Sequence, residues 1–193
     1  ISFNQSGEYL VTLTVSENDC VRSAENLIEV FDLPIANFEA DILEGCLPLN
    51  VNFTNTSEVF NADYFFDWYI NDELIQAGDN FNYVFDEPGL YDVKGKVYTT
   101  NQCITSDTLY VEEMIYVFPN PTAALEILPG TVVEVEDANF TFTGLENNVT
   151  CQLQVGNQVF DNCFVNLQLE ETGIVDVFYQ TENEFGCVNT FQT

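Results

Sequence analysis

The chain has 193 residues, 46% of them hydrophobic with 17 Phe and 9 Tyr, and carries 32 acidic residues against three basic ones, a formal net charge of -29. That apolar content argues against disorder, while the charge excludes binding to phosphate backbones or adsorption on anionic lipid. There is no histidine, so the commonest general base and metal ligand is missing and neither a Ser-His-Asp nor a Cys-His centre can be assembled.

Read in chain order, the clear segments alternate apolar and polar residues with period two, the mark of half-buried strands. The first runs from Phe3 through Tyr9, Val11, Leu13 and Val15 towards Cys20. Further strands are predicted near 35–40, 49–55, 64–71, 80–85, 90–99 and 106–116. Turn signals separate them at Gly45, the Asn55-Thr-Ser57 cluster, Gly78-Asp-Asn80 and Pro88-Gly89. No stretch of helical length shows a 3.6-residue period, and no apolar run approaches the ~18 residues that would span a membrane.

The same pattern occurs three times. Gly7-Glu-Tyr9-Leu-Val11 recurs as Gly89-Leu-Tyr91-Asp-Val93, and again more loosely from Gly173. The glycines are 82 and 84 positions apart, and Cys20, Cys103 and Cys187 follow with steps of 83 and 84. Pro34-Ile-Ala36 recurs as Pro121-Thr-Ala123, and Trp68-Tyr-Ile70 aligns with Leu153-Gln-Val155. Landmarks that agree this closely define a unit of about 85 residues.

The expected organisation is therefore residues 1–32, the last strands of one copy; 33–117, a complete copy; and 118–193, a copy lacking its final strand. Two strands alone do not make a stable domain, so the natural protein is expected to be longer at both ends. Six or seven short strands per copy point to an all-β fold of tandem immunoglobulin-like β-sandwiches. Short, proline-stiffened linkers at Asp32-Leu-Pro34 and Pro119-Asn-Pro121 predict a semi-rigid rod. If the alignment is right, Trp68 on one strand lies over Gly95 on its neighbour, with Leu153 and Tyr179 in the matching places of the next copy.

None of the six cysteines forms a C-x-x-C pair, which fits an exported, disulfide-forming protein. Cys46 precedes the second strand of the middle copy and Cys103 lies in its last turn, which places both at one end of the sandwich. The expected bonds are Cys46–Cys103 and Cys151–Cys163, the latter flanking the turn at Gly156-Asn157. Cys20 and Cys187 are left without an obvious partner.

The Gly-x-Tyr-x-Val motif at Gly89 and Tyr91, the tryptophan at Trp68, Gly95 and the Pro-x-Ala-x-Phe start at Pro34 together resemble PKD repeats, which are immunoglobulin-like modules. The stretch Phe66-Asp-Trp68-Tyr-Ile70-Asn-Asp72 keeps the tryptophan of that family's signature but lacks both of its glycines. Acidic, cysteine-bearing tandem copies resemble the giant surface adhesins of Bacteroidota, including the gliding-motility adhesin exported by type IX secretion. The resemblance implies an extracellular, cell-surface stalk that is not an enzyme. Its partners would be the neighbouring repeats, the secretion or motility machinery and surface polysaccharide.

Other readings attach to particular residues. The acidic pairs Asp72-Glu73, Asp86-Glu87, Glu112-Glu113 and Glu170-Glu171 could supply calcium ligands, although a solvated, self-repelling surface accounts for them too, and no cofactor is expected. Asp107-Thr108-Leu109 resembles the acceptor of Bacteroidota O-glycosylation, which makes Thr108 the modification candidate. Phe65, Tyr69 and Tyr98 alternate with core positions and could face outward to stack on sugar. The rival functions are a carbohydrate-binding or spacer module of a secreted enzyme and a calcium-dependent adhesion module.

Overall fold

A computed structural model describes residues 1–60, 62–100, 105–128, 137–145, 147–168 and 175–192. Among these residues the secondary structure is all β. The first copy contributes one antiparallel hairpin, β1 (Gly7–Glu17) and β2 (Cys20–Val30). It turns at Asn18 and Asp19, whose φ values of 43 and 66 are the left-handed pair that a two-residue hairpin turn requires.

The middle copy supplies β3 (Phe38–Ala40), β4 (Glu44–Cys46), β5 (Leu49–Asn55), β6 (Tyr64–Ile70), β7 (Glu73–Ala77), β8 (Asn80–Phe85), β9 (Gly89–Thr99) and β10 (Ser106–Phe118). They form a three-stranded sheet, β3-β5-β8, and a five-stranded sheet, β4-β10-β9-β6-β7. The opening segment changes sheets: β3 pairs antiparallel with β5, and β4 pairs in parallel with the end of β10. The last copy supplies β11 (Ala124–Leu128), β12 (Asp137–Thr143), β13 (Thr150–Val155), β14 (Gln158–Phe160), β15 (Phe164–Gln168), β16 (Val177–Glu182) and β17 (Val188–Gln192). Its sheets, β11-β12-β15 and β14-β13-β16-β17, repeat the order of the middle copy without a counterpart of β4, and β17 stands in the place of β10, where the sequence reading expected no final strand. These strand orders are those of immunoglobulin-like sandwiches.

Three strands differ from the sequence expectation. Gly45 is not a turn but the centre of β4, because three residues suffice to pair with Tyr116–Phe118. β7 was not anticipated: its only half-buried residue is Ile75, so no burial alternation marks it. The strand expected at 35–40 is regular only from Phe38, with Ile35 held by a single bridge to Glu58.

Contacts group the chain into two compact units, residues 1–41, 51–83 and 91–114, and residues 42–50, 84–90 and 115–193. In the first, Phe38, Phe53, Phe66, Trp68 and Phe81 pack around one another, with Trp68 fully buried. The indole N–H donates to the Gly78 carbonyl at 2.7 Å, which satisfies the only polar atom of that side chain. The second unit has its own core of Ala138, Phe140, Phe142, Leu153, Val155, Val165 and Val177 around the Cys151 side chain.

The aligned pairs are direct strand neighbours, Trp68 opposite Gly95 and Leu153 opposite Tyr179. The space above Gly95 nevertheless belongs to other rings. A methyl group there would stand 2.8 Å from Phe38 Cδ1 and closer still to Phe66 Cζ. Side chains lean along a strand as well as away from it, so the residue two positions from Trp68 fills the gap. The repeated glycine has a backbone reason: φ is 140 at Gly7 and 152 at Gly89, values that side-chain-bearing residues rarely adopt. The repeated tyrosine has one too. Tyr9 donates its hydroxyl to the Gln5 carbonyl at 2.8 Å, the tyrosine corner of immunoglobulin-like folds.

Gly95→Ala is expected to lower stability by about 1–3 kcal/mol through overpacking, read as a lower denaturant midpoint in equilibrium unfolding. An unchanged midpoint would mean that the Phe38 and Phe66 rings do not close over this position.

Candidate functional site: a clamp around residues 118–121

The most elaborate polar and covalent arrangement is built within the second compact unit from three short pieces of chain. The first is β4 with the Leu47-Pro48 segment, the second is the end of β10 with Pro119-Asn120-Pro121, and the third is the turn Asn183–Cys187. Cys46 is opposite Phe118 in the β4–β10 pairing. Leu47 N–H donates to the Phe118 carbonyl at 3.2 Å, and Asn120 Nδ2 donates to the Leu47 carbonyl at 2.8 Å.

Asn183 organises the third piece. Its Oδ1 accepts the Phe185 and Cys187 amides at 3.1 and 3.0 Å, its own amide donates to the Cys187 carbonyl at 3.0 Å, and its Nδ2 donates to the Pro119 carbonyl at 2.8 Å. Gly186 takes φ 77 at the tip of this turn. Asn189 Nδ2 adds a bond to the Pro121 carbonyl at 3.1 Å, and the Phe185 ring stacks on Phe118 with centroids 4.5 Å apart. The Pro119 and Pro121 carbonyls lie between strands, outside any ladder, and the asparagine side chains supply their donors.

The clamp is closed by a disulfide between Cys46 and Cys187, with Cα atoms 5.5 Å apart. This replaces the expected Cys46–Cys103 bond. Both expected cysteines were assigned to one end of a single sandwich. The pairing of β4 with β10 instead carries Cys46 to the chain junction, within reach of the next copy's turn. Cys103 lies outside the described residues. Cys187, left without a partner in the sequence reading, is fully buried in this bond. Cys151 and Cys163 are joined to each other, and Cys20 is free and exposed. Asn183 and Asn189 went unnoticed in the sequence. Their signal was the Asn-x-x-x-Cys spacing of the turn, which carries no meaning until Pro119 is placed beside it.

The other candidates do not converge. Asp72 pairs with Lys94, and Lys94 sits over the Tyr69 ring at 4.4 Å. Asp92 accepts the Glu113 amide at 2.8 Å and the Tyr110 hydroxyl. Those two bonds, the backbone one first, hold the Asp92 carboxyl below its ordinary range, and the same contact pushes Tyr110 up to about 12. Among the described residues no three Asp, Glu or Cys side chains gather as a metal site would need, and Glu170-Glu171 lie outside them. Thr108 is exposed on β10, while the neighbouring Asp107 accepts the Ala36 amide at 2.9 Å. Phe65 and Tyr98 face each other across β6 and β9 with centroids 5.7 Å apart, Phe65 being 55% exposed. A polar hollow of about 390 Å³ beside the Cys151–Cys163 bond is lined by Gln152, Asp161, Asn162, Gln180 and Glu182. Among the described residues no helix is long and apolar enough to cross a membrane.

No family model and no curated protein matches this chain. Among solved structures it is similar to the fibronectin(III)-like modules of Clostridium thermocellum CbhA. That likeness is 11% identical over 81% of this chain and 91% of the other, with a TM-score of 0.36. It is also similar to repeats EC1-3 of mouse protocadherin-24, 13% identical over 96% and 77% with a TM-score of 0.28. At such scores the fold rests on the strand order and not on either likeness.

Asn183→Ala should cost roughly 2–4 kcal/mol by stranding the Phe185 and Cys187 amides and the Pro119 carbonyl. Hydrogen exchange at those two amides should accelerate, whereas unchanged protection would remove Asn183 from the clamp. Tyr110 has a folded value above its unfolded one, so its bond to Asp92 stabilises fully below pH 10 and is lost as the pH rises through about 12. Asp92 is lowered, so its share is present above the ordinary carboxylate value and is lost as pH falls through the folded one. Tyr110→Phe should therefore delete the latest step from an absorbance titration of tyrosine, and a titration of unchanged shape would separate Tyr110 from Asp92.

Proposed function

We propose that this chain is a structural repeat segment, part of the stalk of a large exported cell-surface adhesin serving surface adhesion and gliding motility. The observation that carries this reading is the clamp, in which a disulfide, two asparagine side chains and a ring stack all secure the segment joining two sandwich copies. Such interactions suit a spacer that must hold its length.

The composition supports the same reading. A charge of -29 keeps parallel filaments apart and exposed sheet edges from pairing. Two disulfides suit an oxidising, extracellular setting, and no enzymatic activity is assigned. The finer elements, a Bacteroidota host, type IX export and O-glycosylation at Thr108, rest on the resemblance to PKD-bearing adhesins. Surface polysaccharide and the motility machinery are the corresponding partners.

The rival reading as a sugar-binding module draws on the Phe65–Tyr98 pair, whose exposed ring could stack on a sugar face. Antibodies against this chain, applied to intact cells of the source organism, distinguish the two. A stalk is expected to give surface labelling on a protein many repeats long, with adhesion and gliding lost when the gene is deleted. A short secreted protein with hydrolytic activity would overturn it in favour of the accessory module.

A further inference from the structure

We infer that the Cys46–Cys187 disulfide is a force shunt: tension applied to the two ends of this chain passes through that bond, and residues 47–186 carry none of it. The argument is one of connectivity. A taut chain bears load along its shortest covalent path, and here that path runs along the backbone to Cys46, across the two sulfurs, and out from Cys187. The bond spans a sequence separation of 141. All strands from β5 to β16 lie inside the closed loop. If they unfold under load they add nothing to the end-to-end length.

Placement of the bond favours this role over that of a simple staple. A disulfide within one sandwich, such as Cys151–Cys163 with a separation of 12, protects only the residues between its own strands. Cys46 instead lies at the start of the middle copy and Cys187 near the end of the last. Cys187 is fully buried while Cys46 is half-buried, so an external thiolate can approach the bond only from the Cys46 side. The surrounding noncovalent contacts, Asn183 to Pro119 and Phe185 on Phe118, hold the two cysteines together without bearing the load themselves.

The use of such a shunt in a cell rests on the stalk reading, but its measurement does not. The experiment pulls single molecules of the whole chain, tethered at both termini, before and after dithiothreitol, which reduces the disulfides while closing to its own cyclic disulfide. Unreduced molecules should extend by no more than about 190 Å, from 46 residues before the bond and seven after it at roughly 3.5 Å each. Reduction should release about 490 Å more from the 141-residue span. Cys46→Ser should release about 450 Å without reductant, because Cys151–Cys163 still withholds its 12 residues. If that variant fails to fold, the wild-type comparison and a non-reducing peptide map stand alone. Unreduced molecules that extend beyond 500 Å, or a map without the Cys46–Cys187 linked peptide, would overturn the inference. A confirmed shunt on a protein absent from the cell surface would refute the stalk and leave the shunt intact.

Discussion

Close packing between two sheets only about 10 Å apart sets what each inward position of β9 can be, and the middle sandwich is organised around that limit. Phe38, Phe53, Phe66, Trp68 and Phe81 supply five rings to one small interior. Gly95 is the position that yields to them, since its missing side chain lets Phe66 and Phe38 close over the strand. The last copy meets the same limit differently, with Leu153 and Tyr179 as the facing pair and the Tyr179 ring beside Phe142. The two copies fill the space over this strand with different rings, Phe38 and Phe66 in one and Tyr179 beside Phe142 in the other, which is how a fixed sandwich tolerates low identity between its copies.

The clamp depends on that sandwich because β4 exists only as an addition to β10. Three residues in parallel register bring Cys46 level with Phe118, and from there the disulfide to Cys187 becomes possible. Two kinds of interaction then share the segment 118–121. Hydrogen bonds from asparagines satisfy the Pro119 and Pro121 carbonyls, which lie outside any strand, and the covalent bond sets an upper limit on how far the chain can be drawn out.

With three cations against 32 acidic residues, most carboxylates in this chain cannot be neutralised by ion pairs. They act as caps for backbone amides instead: Asp107 for Ala36, Asp92 for Glu113 and Asp41 for Asn52. The Glu113 amide is presented by a backbone at φ 49, an unusual conformation for a residue within a strand, and Asp92 meets it there. At Asp92 these bonds favour the ionised carboxylate, so negative charge and local order are compatible there. The rest of the acidic surface stays solvated.

The sequence by itself determined the fold class and its repetition. Period-two alternation follows from half-buried strands, and the recurrence of Gly7 at Gly89 follows from a turn that needs positive φ. The short bond between Cys151 and Cys163 was legible for the same reason, since hairpin register is local. The tertiary structure alone decided the partner of Cys46, the existence of β4 and β7 and the roles of Asn183 and Asn189. β7 pairs with its neighbour β6 but shows no burial alternation; the others depend on which distant backbone comes alongside, and such pairing leaves no period in the sequence. Cys103 and Cys187 occupy the same place in the repeat, so the sequence pattern could not choose between them; the path of the chain through β4 does.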